Sequence, residues 1–163
     1  DDKYAYYKDT QLFTLSDLKI VGEFNCGNAM MASCMAYLMG VSLFNIQEVI
    51  REFSGVEHRI EYVDTIDNVR FYNDSKATNT HAACAGLSAF EKNVDKFKDI
   101  FTSQISVETM KDAFEKAVLL AKPGDIVLLC PACSSFDQFK NYEIRGEIFK
   151  QMVHEYAAKR NEE

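Results

Sequence analysis

The chain has 163 residues, 47% of them hydrophobic and 26% charged, which is ordinary soluble usage and excludes a chain that is mainly disordered. Its 18 Lys and Arg against 25 Asp and Glu give a net charge of −7, so the basic footprint of a non-specific nucleic-acid binder is missing. No apolar run reaches the roughly 18 residues that cross a bilayer, and no basic-then-apolar leader opens the sequence, so the expectation is a cytoplasmic chain without membrane insertion.

The predicted elements begin with two short strands, residues 3–7 and 11–14, around a turn at Lys8-Asp9, with a possible third strand at 18–21. Residues 25–39, rich in Ala and Met with Cys and Leu, predict a helix closed by Gly40. Asn45 reads as the cap of a second helix over 46–53, closed by Gly55. Then come β-rich runs at 60–66 and 69–72, split by Asp67-Asn68, which is a hairpin signal. A small-residue helix over 81–90 follows. Ser106 reads as the cap of a helix over 107–121, and Pro123-Gly124-Asp125 as a turn. Ile126-Val127-Leu128-Leu129 has the wholly apolar composition of a buried parallel strand. A last helix is predicted over 142–159. Strands alternating with helices indicate an α/β fold. The alternation breaks after Phe90, where the charged stretch from Glu91 to Lys98 replaces an expected core strand.

Three places can carry chemistry. Asn73-Asp74-Ser75-Lys76-Ala77-Thr78-Asn79 lies between a strand and a helix, where open α/β sheets place ligands and where free N–H groups favour an anion. There Asp74 can accept from a ribose hydroxyl, Lys76 can offset a phosphate or carboxylate, and Ser75 and Thr78 can donate. A plain capped helix start reads equally well. The loop from Cys130 through Ser134, Ser135, Phe136, Asp137 and Lys140 to Tyr142 sits at another strand end, as a ligand loop or a connector. Arg59, after His58, has the donor fork that suits phosphate, although a surface arginine is the commoner case. The five cysteines read as reduced thiols. The spacing Cys130-Pro131-Ala132-Cys133 has no second pair to complete a zinc site, so no metal site is assigned. With 7 glycines and no G-x-x-x-x-G-K-[ST], the sequence carries no P-loop.

Together these segments resemble the Mur ligase family. Gly22-Glu23-Phe24-Asn25-Cys26-Gly27-Asn28-Ala29 is similar to its G-x-H-N-x-x-N-A, with Phe24 in place of His. Phe53-Ser54-Gly55-Val56-Glu57-His58-Arg59 resembles its F-x-G-x-x-H-R, and residues 73–79 match N-D-S-K-A-T-N. Residues 130–146 resemble the S-P-A-x-x-S-x-D-x-F-x-x-F-x-x-R-G of the member that adds D-glutamate, with Cys130 for Ser and Tyr142 for Phe.

The resemblance implies an ATP- and magnesium-dependent amide ligase of peptidoglycan synthesis, acting on UDP-MurNAc-L-alanine and D-glutamate as a monomer. It implies the end of a central ATP-binding α/β domain over 1–57. Over 58–163 it implies a Rossmann-like carboxyl-terminal domain with a mostly parallel sheet and a segment missing near 90–100. Asn28 would contact adenine, and Arg59 and Asp74 would hold the nucleotide. Lys76 would be catalytic, with Ser75, Thr78, Ser135, Phe136 and Tyr142 on the D-glutamate side. The family's amino-terminal domain, P-loop and magnesium-binding groups have no counterpart, so the chain alone is expected to be inactive. Another Mur-like or folylpolyglutamate-type ligase, or a non-catalytic nucleotide- or amino-acid-binding module, are the competing readings.

Overall fold

The computed structural model describes residues 3–90 and 105–162. The chain forms two compact units, Asp1–Gly55 and Val56–Glu163.

In the first unit, strands β1 (Tyr4–Tyr7) and β2 (Thr10–Thr14) form an antiparallel hairpin with a bulge between Ala5 and Tyr6. Ala5, Leu12 and Phe13 turn inward and pack with Ile46 and Ile50. Those two belong to helix α2 (Leu43–Glu52), which follows helix α1 (Glu23–Leu38). The third strand expected at 18–21 is not formed. Leu15–Asp17 wind into a 3-10 turn, and Leu18 donates its N–H back to the Leu15 carbonyl instead of to a neighbouring strand. The cap of α2 is Ser42 and not Asn45. Ser42 has the extended backbone of a cap residue, and its side chain accepts from the Asn45 N–H. Of the residues of α1 only Ser33 is fully buried, while Met31, Met35 and Leu38 are 65%, 55% and 61% exposed.

The second unit is built on a three-stranded sheet in the order β3-β4-β5. β3 (Glu61–Ile66) and β4 (Val69–Asn73) are antiparallel. Asp67 and Asn68 between them take φ of 51° and 62°, the left-handed pair that a two-residue hairpin needs. β5 (Ile126–Leu129) runs parallel to β4, from Arg70 opposite Ile126 to Asn73 opposite Leu129. The mostly parallel sheet expected from the sequence is therefore corrected to a mixed one among the described residues. β5 is half-buried among the described residues and not buried as its composition suggests.

Helix α3 (Thr80–Ser88) starts at Asn79, whose side chain accepts from the Ala82 N–H. Helix α4 (Met110–Leu120) starts at Thr109, not Ser106. Thr109 and Asp112 close a reciprocal capping box, which satisfies two helix-start donors where a lone serine satisfies one. Helix α5 covers Tyr142–Glu162. The core of this unit joins Ile66, Val69 and Phe71 of the hairpin to Phe114 of α4 and to Phe149 and Val153 of α5. The charged stretch from Glu91 to Lys98, with the break in alternation and the missing segment expected there, lies outside the described residues. No described helix is long and apolar enough to cross a membrane.

The ring of Phe114 lies 6.1 Å from Phe71 and 5.9 Å from Phe149, centroid to centroid. Phe114→Ala is expected to cost about 3–5 kcal/mol in urea unfolding. Leu119→Ala on the same helix, at a position 75% exposed, is expected to stay within about 0.5 kcal/mol.

Candidate functional site

The site lies where β4 and β5 end side by side. Pairing runs one residue beyond β4, with Asp74 donating its N–H to the Leu129 carbonyl at 2.9 Å. The chain then folds back on itself. Asn73 Oδ1 accepts from the Ser75 N–H, and the Asp74 carbonyl accepts from Ala77. The Lys76 N–H donates to the His58 carbonyl at 3.0 Å. These bonds bury Asn73, Asp74, Ser75 and Ala77 and leave Lys76 and Thr78 in solvent. After β5, residues 130–135 lead to a turn in which the buried Ser135 offers its carbonyl to Gln138 and Phe139. Phe136 on that turn is 78% exposed.

Arg145 on α5 joins the two strand ends. Its guanidinium is buried, at 4% exposure, and donates from Nε to Ser75 Oγ at 3.0 Å and from Nη2 to the Ser75 carbonyl at 2.9 Å. Nη1 reaches the Cys133 and Ser134 carbonyls at 3.2 and 3.3 Å. Ser75 passes the connection on, donating its hydroxyl to the Tyr142 carbonyl at 2.7 Å. That hydroxyl hydrogen is thus committed inside the protein. Tyr142 in turn lies under Lys76, whose Nζ is 5.9 Å from the ring centroid.

Asp74 holds the only carboxylate among the described buried residues. Oδ1 accepts from the Ile60 N–H at 3.3 Å, and the Cys130 thiol lies 3.8 Å from Oδ2. Burial pushes the carboxyl up from its ordinary 3.8 to about 6, against the opposing pull of the Ile60 N–H and the Arg59 charge. The approach to β3 is strained. His58 and the β-branched Ile60 take φ of 62° and 47°, a region such residues seldom occupy. That strain is what aims the Ile60 N–H at Asp74, and strained backbone of this kind gathers at ligand sites.

A second polar group buttresses the strand end. Asn73 Nδ2 lies 3.0 Å from both Glu61 Oε2 and His58 Nδ1. Asn73 donates there to the Glu61 carboxylate. A Cβ on Gly146 would overlap the His58 ring and stand 2.9 Å from Asn73 Nδ2, so only glycine lets α5 approach this closely. Glu57, His58 and Glu147 lie near enough to share a metal ion. Lys150 already fills that place, paired with Glu57, with Glu147 at 2.8 Å and with Glu61 at 3.3 Å. With the Lys150 ammonium already among its carboxylates, the cluster is an ion-pair clamp and does not fit magnesium.

The structure therefore brings Asp74, Ser75, Lys76, Ser135 and Tyr142 to one pair of strand ends. Arg59 is exposed on the chain leading into β3, and its charge reaches Asp74. Thr78 and Phe136 lie exposed on the two loops, and Asn28 lies exposed on α1 of the other unit. Sequence reasoning missed Arg145 as the joint between the loops. Its signal was the Arg145-Gly146 pair closing the second motif.

No family model matches the chain. Curated proteins named UDP-N-acetylmuramoylalanine–D-glutamate ligase do match it. Those of Bacillus mycoides (strain KBAB4) and Bacillus cereus (strain ATCC 14579) are 37% identical over 191 positions, covering 94% of this chain and 42% of theirs. That of Acidobacterium capsulatum is 38% identical over 179 positions, covering 87% of this chain and 39% of its own. The Mur ligase resemblance read from the motifs is borne out, and this chain is a partial relative of the D-glutamate ligases. It spans about two-fifths of their length. An alignment of 191 positions exceeds the chain's 163 residues, so the relatives carry residues in this region that have no counterpart here.

Arg145→Ala is expected to destabilise the chain by about 2–4 kcal/mol in urea, since it takes the guanidinium donors from the buried Ser75 carbonyl and hydroxyl and from the loop after β5. Arg145→Lys is expected to recover less than half of that loss, because one ammonium cannot span both loops. Asp74 titrates higher in the folded chain than in the unfolded chain, so its ionisation weakens folding as pH rises from about 4 through 6. Asp74→Asn is expected to raise stability by about 1–2 kcal/mol at pH 8 and to give no gain at pH 3.5, by urea unfolding at both.

Proposed function

We propose that this chain, a relative of part of the D-glutamate-adding Mur ligases, supplies the end of the ATP-binding domain and the amino-acid-binding domain of such a ligase. The reaction joins D-glutamate to UDP-MurNAc-L-alanine in peptidoglycan synthesis, in the cytoplasm. ATP phosphorylates the substrate carboxylate and leaves as ADP. The amine of D-glutamate then attacks the acyl phosphate, phosphate departs, and the amide forms.

The observation that carries this reading is the joining of the two motif loops at adjacent parallel strand ends, with Arg145 bonded to both. Ligands of open α/β sheets sit at that edge. There Lys76 holds a mobile positive charge over the Tyr142 ring, placed to receive a carboxylate or the charge that develops on a transferring phosphoryl group. Thr78, Ser135, Phe136 and Tyr142 form the D-glutamate side. Asp74 accepts from the ribose and Arg59 meets the nucleotide's negative charge. Magnesium would neutralise phosphate charge during transfer, with its ligands mostly outside this chain. The exposed apolar residues Met31, Met35 and Leu38 of α1 support a first unit that is one piece of a larger domain.

Asp74 supports the reading from another side. A buried carboxylate with a raised pKa weakens folding, and a residue kept against stability points to ligand binding.

The test is Lys76→Ala in the complete ligase polypeptide that carries this sequence, with phosphate release and amide product followed together. A drop in kcat/KM of about 100-fold or more is expected, the range for removing one group that stabilises transition-state charge. Activity near that of the unsubstituted enzyme, in folded protein, removes Lys76 from the site. The 163-residue chain alone is expected to show no turnover with ATP, magnesium and both substrates.

A further inference from the structure

Cys130 follows β5 directly, and its half-buried side chain points back under the strand ends. One S–H faces two acceptors there, Asp74 Oδ2 at 3.8 Å and the Ala83 carbonyl of α3 at 3.6 Å. The space is closed from the α3 side. A Cβ on Gly86 would overlap Asp74 Oδ2 and stand 3.5 Å from the Cys130 sulfur. The other Asp74 oxygen is held by Ile60 N–H. The carboxylate is thus boxed by three elements, with the thiol as its only side-chain hydrogen-bond donor among the bonds described.

We propose that Cys130 is a positioning residue for Asp74, its S–H swinging between the carboxylate and the Ala83 carbonyl according to whether Asp74 is charged. When Asp74 is ionised the thiol donates to Oδ2 and fixes the carboxylate plane, which leaves the outer lone pairs aimed at the strand-end site. When Asp74 takes up a proton from solvent, the thiol keeps its own and turns to Ala83. A hydroxyl would hold the carboxylate in one state, whereas a thiol is a weaker donor and releases it readily. The groups that bear on the pair are the Arg59 guanidinium from the chain entering β3, the Cys84 thiol from α3 and the Ile60 N–H. Burial and the neighbouring carboxylate push the Cys130 thiol up to about 12, so it stays protonated and available as a donor. The inference deepens the nucleotide reading and relies on it only for the identity of the ligand.

The experiment follows the carboxyl carbon of Asp74 by NMR against pH in the 163-residue chain, the resonance being assigned by its loss in Asp74→Asn. Cys130→Ala removes the donor and is expected to raise the midpoint by about half a pH unit or more. Cys130→Ser supplies a stronger donor and is expected to bring it below the value of the unsubstituted chain. An alanine variant that folds with an unchanged midpoint overturns the proposal. If the alanine variant does not fold, an unchanged midpoint in the serine variant overturns it. ATP and magnesium added to the complete ligase polypeptide that carries this sequence, with the same resonance followed, separate the two readings. An Asp74 resonance indifferent to ATP while the midpoints move as stated keeps the positioning role and removes the ribose assignment.

Discussion

A guanidinium buried among backbone carbonyls governs the second unit. Arg145 lies in the first turn of α5, and its donors meet oxygens from the end of β4 and from the loop after β5. Such a group is expensive to bury unless its donors are met, and here the flat fork meets oxygens of both chain segments. The two loops are therefore not placed independently. Their relative position follows from the strand register of β4 on β5 and from the docking of one helix. Gly146, the next residue, lets that helix come down onto the His58 ring. The Lys150 clamp, one turn further on, holds the same helix to Glu57 and Glu61.

This arrangement separates what holds the site from what can act in it. Asn73, Ser75 and Arg145 spend their polar groups on one another, on Glu61 and His58, and on the backbone. Lys76, Thr78 and Phe136 stand out in solvent on segments pinned at both ends. Asp74 falls between the two classes, buried like the first and only loosely held like the second. Preorganised sites combine a rigid base with a few groups left for the ligand.

Much of this was legible beforehand because its signals are local. The Asp67-Asn68 hairpin, the apolar run of β5 and the start of α5 at Tyr142 follow from turn chemistry and composition over a few residues. The failures have local causes too. Ser106 and Asn45 are acceptable caps that lost to better-placed neighbours, Thr109 and Ser42. The mixed sheet was not readable as such, since its pairings join residues about 55 positions apart, and no pattern in either strand states its partner. Arg145 was hidden for the same reason. An arginine near the start of a helix looks like a surface residue until the Ser75 and Cys133 oxygens are found around it. Asp74 was picked as a ligand group from its place at a strand end, but the burial that raises its pKa comes with the close approach of α3 at Gly86, which only the fold brings about.

The left-handed turn at Ile60 gives the site a native gauge. The N–H of Ile60 ends on Asp74 Oδ1, so one amide proton senses the carboxyl through a single contact. Its solvent exchange rate and resonance position carry the occupancy and charge of the strand-end pocket without any introduced label. A backbone amide at the far end of a strained turn thus becomes a reporter, and events at Asp74 can be watched from a residue that no substrate needs to touch.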